Sequence, residues 1–350
     1  MSRRYGIPGA CSASLRALFI LISLSAALPL LTVSCSEDSS PSSPGGGGAG
    51  CIDYGDDPRI SGNCDTPGNA RGVAVSGDYA YVADQDSGLV VIDISTPSSP
   101  SVVGSVDTYS QALDVALSGN HAYVADNSGG IVVIDISAPA SPAIIANARV
   151  PIDHAWNVAV SGGYAYVADY LYGFHVIDIS TPSSPSETAS IPTPGGAHGV
   201  AVSGDYAYVA DVQSGLTVID ISAPALPSIE VTVDTPDIAR DVAVSGGYAY
   251  VADQFSFHVF DISAPASPSI EGSIDDGFSA AYSVAVSGDH AYVADRTFGL
   301  VVVDISVPAS PFIVGSLDTP GVADRVAVSG DHVFVGDSEQ GLTTALRQCD

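Results

Sequence analysis

The chain has 350 residues, 46% of them hydrophobic, with 39 acidic side chains against ten basic ones and a net charge of −29. Lysine is absent and 34 of the 39 acids are Asp, so turn formers dominate over helix formers. Such a charge argues against nucleic acid or an anionic lipid surface as partner, while the apolar content is ample for a sizeable core.

In chain order, residues 1–34 read as a signal peptide, with Arg3 and Arg4 ahead of an apolar stretch from Ala17 to Val33. Leu31-Thr32-Val33-Ser34-Cys35 resembles a bacterial lipobox, with Thr32 where an aliphatic residue is usual. Cys35 is therefore the lipidation candidate, and residues 35–58 read as a Ser/Pro/Gly-rich tether. The expected location is an outer membrane or cell surface, with a lipid anchor as the only membrane contact. Plain secretion or a periplasmic location is the alternative.

From residue 59 to 349 an internal repeat governs the sequence. The Ser of a V-A-V-S-G motif returns at Ser76, Ser118, Ser161, Ser203, Ser245, Ser287 and Ser329, at steps of about 42 residues. Each copy holds four short β-type segments; the first copy has Val73–Ser76, Tyr79–Asp84, Leu89–Ser95 and Val102–Val106, separated by Gly- and Pro-rich turns. No segment has room for an apolar helix of about ten residues. Four-stranded units at this period predict an all-β, single seven-bladed β-propeller, with a solenoid as the competing geometry.

The chain ends decide for the propeller. The last copy stops after its third segment, Leu342–Gln348, and residues 60–75 (ISGNCDTPGNARGVAV) align with 313–328 (IVGSLDTPGVADRVAV). Residues 60–64 are thus expected to supply the outer strand of the seventh blade, removing the exposed edges an open array would leave. That pairing brings Cys51 beside Cys349 and predicts a disulfide between them, which an exported location permits. Cys64 aligns with apolar residues and reads as a buried free thiol.

The third segments run LVVIDIS, IVVIDIS, FHVIDIS, LTVIDIS, FHVFDIS and LVVVDIS, each followed by a Pro-rich turn. They resemble the LVIVD-repeat family, found mostly in exported or surface proteins of bacteria and archaea, and the V-A-V and Y-V-A-D segments are similar to those of NHL and YVTN propellers. The resemblance implies the propeller fold and little about activity, because propellers host many functions.

In a closed repeat protein, residues present in every copy serve the scaffold, and function belongs where the copies differ. The repeated Asp93, Asp135, Asp178, Asp220, Asp261 and Asp304, and Asp84, Asp126, Asp169, Asp211, Asp253, Asp295 and Asp337, are expected to bond backbone amides. No cofactor is expected; calcium at the D-x-D-x-G stretch from Asp84 to Gly88 is the alternative, although the further acids of an EF-hand are missing.

The variable positions are expected to ring one channel mouth: Arg71, Leu113, Trp156, His198, Arg240, Tyr282 and Asp324, then Asp114, Asn157, Asp241 and Arg325. Loops on the same face add His154, Tyr170, Tyr172, Phe255, Arg296 and Phe298. Of these, Arg71, Trp156, His198, Arg240, Tyr282, Arg325 and His154 are the candidate ligand-binding set. Aromatic and guanidinium groups together mark recognition of a peptide, protein or anionic glycan by a monomer. The plainer alternative is that the arginines neutralise nearby Asp and Trp156 plugs the channel. No catalytic motif is present, so an enzyme is the second hypothesis: a metal-dependent hydrolase or lyase using His198, His154 and Asp324. A structural envelope protein is the third.

Overall fold

A computed structural model describes residues 51–55, 58–148 and 152–349; the signal peptide, Cys35 and residues 36–50 of the tether lie outside them. Apart from a two-residue strand at Cys51–Ile52, strands of four to seven residues alternate with tight turns, and the described residues contain no helix. Blade 1 is Val73–Ser76, Tyr79–Ala83, Leu89–Asp93 and Ser101–Val106, an antiparallel meander in sequence order. Five more four-stranded sheets repeat it from Asp114 to Leu317.

Burial explains why the segments carry the residues they do. The second and third strands of a blade are covered on both faces by neighbouring blades, so Tyr79–Ala83 and Leu89–Asp93 are near-continuous apolar runs. Fourth strands face the outside and are only partly buried, as in Ser101–Val106. In every blade that outer strand carries a one-residue bulge against the third, which increases the local twist. The hairpin between first and second strands needs positive φ at its first turn residue. Gly77 supplies it at +56° in open space, so conformation rather than room demands glycine there.

The core lies between blades. Seven apolar clusters each combine two adjacent blades, as where Tyr81, Leu89 and Val91 meet Val115, Val124 and Ile134. One of them joins blade 7 to blade 1 through Phe334, Leu342, Cys64 and Ile92, and the first strands touch in a complete circle. The ring is closed.

Blade 7 is assembled from both ends of the chain. Arg325–Ser329, His332–Gly336 and Leu342–Gln348 are completed by Ile60–Cys64, antiparallel with Cys64 opposite Leu342. Cys51 and Cys349 form the expected disulfide, and Cys64 is a buried free thiol. The fold reaches further back than the sequence indicates: Cys51–Ile52, placed by the sequence in the tether, pairs in parallel with Arg347 and Gln348. Tyr54 follows, 2% exposed, its hydroxyl donating to the Leu346 carbonyl and its amide to Gln348 Oε1.

Candidate functional site

Two sets of repeated aspartates build the frame. Asp93 and its equivalents end the third strands, where each accepts the amide of the serine two residues on. The second set, Asp84, Asp126, Asp169, Asp211, Asp253, Asp295 and Asp337, is 0% exposed. Each clamps the loop arriving from the preceding blade: Asp84 accepts from Thr66 Oγ1 and Gly68 N, and Asp295 from the amides of Ser279 and Ala280. These clamps hold the fourth-to-first and second-to-third loops together on one face. The residue after the aspartate then bridges to the next blade's Ala, as Gln85 does to Ala112 and Ser338 to Ala70.

Inside that frame the channel is closed by a polar plug. The Arg325 guanidinium sits between blades 2 and 5, with Nη1 3.0 Å from Asp241 Oδ2 and Nε 3.9 Å from Asp114 Oδ1. Burial works against its charge, but Asp241 and Asp114 outweigh that and raise its pKa. Burial in turn holds Asp114 at about 6 despite Arg325, so the pair is ionised at neutral pH. The same ring stitches neighbouring first strands: Asp114 accepts from Asn157 Nδ2 and Val158 N, Asn157 from Val200 N, and Asp241 from Val284 N. Gly199 stands where a Cβ would lie 2.7 Å from the Asp241 Cα, so only glycine fits beneath that aspartate.

Above the plug lies an aromatic and guanidinium layer. Trp156 stacks on His198 with centroids 4.8 Å apart, and His198 meets Tyr282 edge-on at 5.2 Å. His198 is 1% exposed; burial first, then Arg325 and Arg240, drive its pKa well below 6.5, so it is neutral. Its Nδ1–H donates to the Arg240 carbonyl at 2.6 Å, which leaves Nε2 to accept from the Tyr282 hydroxyl at 3.2 Å. Arg296 covers the Tyr282 ring at 3.6 Å, and Arg71 lies 5.6 Å from the Trp156 ring. Both arginines pair with Asp324, whose other oxygen accepts from Ser338 Oγ. The register shifts at Ala155/Asn157 and Ala281/Ser283 make Trp156 and Tyr282 bulged residues, which re-aims their side chains.

A cavity of about 420 Å³ opens beside this layer, lined by Arg71, Arg296, Asp324, Asn69, Gln85 and Ser338 among others. Sequence comparison named the first three. Gln85 and Ser338 escaped it, although both occupy the variable position after a clamp aspartate, where copy-to-copy differences would have found them. Six of the seven candidate residues thus converge on the mouth, Arg325 as its floor. His154 stands apart: its backbone joins the Asp169 clamp, and its buried Nδ1 has no hydrogen-bond partner. Tyr170, Tyr172, Phe255 and Phe298 are 41–51% exposed at loop tips of the same face.

His198 makes no contact with Asp324, which is occupied by arginines. Among the described residues no three His, Cys, Asp or Glu side chains converge as metal ligands. His175 and His258 serve their blades, bonding Glu187 and the Ser256–Asp253 pair respectively.

A sequence model of the family described as LVIVD repeat matches residues 67–108, 110–149, 153–193, 194–235, 237–276, 280–319 and 320–344. Among curated proteins no relative matches the chain. Solved structures do. The WD40 β-propeller domain of Doa1 is 11% identical with a TM-score of 0.68, covering 83% of this chain and 97% of that one. A chain of the Mitotic Checkpoint Complex is 12% identical with a TM-score of 0.69, covering 89% and 98%. BamB from Moraxella catarrhalis is 15% identical with a TM-score of 0.55, covering 81% and 83%. At such identities these likenesses show the fold alone.

Proposed function

Since the chain belongs to the LVIVD-repeat family and closes as a seven-bladed propeller, we propose that it is an exported, lipid-anchored binding module without catalytic activity. It presents its channel-mouth face to a protein or peptide at the cell surface. One observation carries the reading. Among the described residues eleven large apolar side chains are exposed, and Tyr109, Tyr170, Leu171, Tyr172, Phe255, Phe298 and Val322 all stand on the loops of that face. They surround a layer that holds Arg71, Arg240 and Arg296 in an otherwise acidic protein. Exposed aromatics around arginine anchors are the make-up of a protein-recognition surface. The Doa1 domain and the Mitotic Checkpoint Complex chain favour an interaction scaffold as the general role.

Thermal shift of the purified protein against a panel of peptides and acidic and neutral glycans tests this, because a ligand of the native state raises Tm by linkage. A peptide is expected to raise it, and the shift should vanish in Trp156→Ala/Arg240→Ala while surviving Leu226→Ser/Val307→Ser on the opposite loops. Calcium and a chelator are expected to leave Tm unchanged. Loss through the opposite-face variant alone would move the binding surface and sink the reading.

A further inference from the structure

The cavity beside the mouth has an imbalance of charge and an imbalance of hydrogen bonds. Arg71 and Arg296 line it with one partner between them, Asp324 Oδ1, reached by Arg71 Nη1 at 3.5 Å and by Arg296 Nε. A guanidinium carries five N–H donors. The remaining side-chain donors of both have no acceptor among the described residues, and their side chains are 16% and 33% exposed. Asp324 is itself 4% exposed, and its second oxygen accepts from Ser338 Oγ. Two guanidinium charges thus face one buried carboxylate; the second acid of the lining, Glu339, lies exposed at the lip.

What this arrangement lacks is one anionic acceptor. A planar carboxylate fits, since guanidinium groups bind it through paired, charge-assisted hydrogen bonds. The rest of the molecule limits the ligand further. With a net charge of −29, the protein repels a polyanion from a distance, and the two arginines exceed the buried Asp324 by a single charge. Pro320 and Val322 line one wall, and a volume of about 420 Å³ suits a group the size of an amino-acid residue. The ligand should carry one carboxylate on an apolar body, which describes a peptide better than an acidic polysaccharide.

We propose that this cavity receives a single peptide carboxylate, held between Arg71 and Arg296. The proposal rests on the mouth face being the recognition surface and names the chemistry it selects. Carboxylates of a chain end and of an acidic side chain share that chemistry.

Trp156 is the only tryptophan, and Arg71 lies 5.6 Å from its ring, so its emission reports on the site. The purified full protein is titrated with N-acetylphenylalanine, its amide, N-acetylaspartate α-amide and glucuronate. N-acetylphenylalanine should change the emission and be weakened by raising salt, while its amide has no effect. A response to N-acetylaspartate α-amide as well would extend the site to acidic side chains. Arg71→Gln and Arg296→Gln should each weaken binding about tenfold. Glu339→Gln removes an opposing charge at the lip without touching the frame, and should tighten it about twofold to threefold.

Acid and amide binding equally by calorimetry, with both lost in Trp156→Ala, would overturn the carboxylate while leaving the face as a recognition surface. Glucuronate binding more tightly than N-acetylphenylalanine would overturn the peptide. No response to any carboxylate, with peptides of the panel still binding at the mouth, would overturn the cavity.

Discussion

Asp295 shows how a single side chain orders this face. It accepts Ser279 N and Ala280 N from the incoming loop, and Thr297 N and Phe298 N from its own hairpin. Asp295→Ala would strand four amides in a site where the side chain is 0% exposed. Hydrogen bonds to a charged group contribute about 1.5–3 kcal/mol each and are not additive, so a loss of about 3–5 kcal/mol is expected. Asp304→Ala, which removes an exposed turn contact to Ser306, should cost about 0.5 kcal/mol. Urea midpoints of the two variants decide the matter; equal losses would mean that the clamp does not hold the loops. The clamp aspartates were legible because they recur in every copy at a turn. The rim was legible only as a set of positions. His198 and Tyr282 are 84 residues apart, and nothing in a linear sequence says that a hydroxyl on blade 6 satisfies an imidazole on blade 4. Nor does spacing show that Asp324 is the partner of both Arg71 and Arg296, a fact fixed by the curvature of the ring.

At the scale of the element, blade 7 is where the fold can come undone, because its strands come from opposite ends of the chain. Ile60–Cys64 holds blade 7 by four paired residues, and Cys51–Ile52 adds two more beside the disulfide. The bridge closes a loop with a sequence separation of 298 residues, for which the chain-entropy argument gives a stabilisation of about 6 kcal/mol as an upper value. Cys349→Ser, or reduction of the native protein, should therefore lower Tm by several degrees. Hydrogen exchange should rise first in Ile60–Cys64 and Leu342–Gln348 while blades 2 to 5 stay protected. Uniform loss of protection would instead mean that the ring unfolds as one body with no weak seam. The closing strand and the cysteine pair were readable because one alignment, residues 60–75 on 313–328, fixes both. The parallel pairing of Cys51–Ile52 was not. Two residues carry no periodicity, and Tyr54 looks like any loop tyrosine until the C-terminal strand offers it Leu346 and Gln348. The bulges at Trp156 and Tyr282 were equally silent, being set by pairing with Asp169 and Asp295 across the hairpin.

Charge acts on the molecule as a whole, and here two classes of aspartate pull in opposite directions. Asp93, Asp135, Asp178, Asp220 and Asp261 have pKa values lowered by the hydroxyl and amide of the serine two residues on. Their contribution is present above the ordinary 3.8 and is lost only as pH falls below it. Asp84 and Asp114 are different: burial raises both from 3.8 to about 6, and burial raises Asp337 as well. For a raised carboxyl the folded state binds the proton more tightly than the unfolded chain does. Between about 4 and 6 the folded form therefore gains stability as pH falls, by roughly 2–3 kcal/mol for each fully shifted group. Self-repulsion works the same way, since the net charge of −29 at pH 7 shrinks toward the isoelectric point near 4.1. The protein should accordingly be more stable at pH 4.5 than at pH 7.5, with a higher urea midpoint, and should weaken again below about pH 3.5 as the exposed turn aspartates protonate. Asp84→Asn removes one raised group and should reduce the gain between pH 7.5 and 4.5. A midpoint that falls steadily from pH 7.5 to 4.5 would show that the buried carboxyls are held ionised by their Thr and Gly partners, Thr66 and Gly68 for Asp84 and Thr319 and Gly321 for Asp337. The frame of the mouth would then be stabilised by those ionised clamps rather than by their protonation.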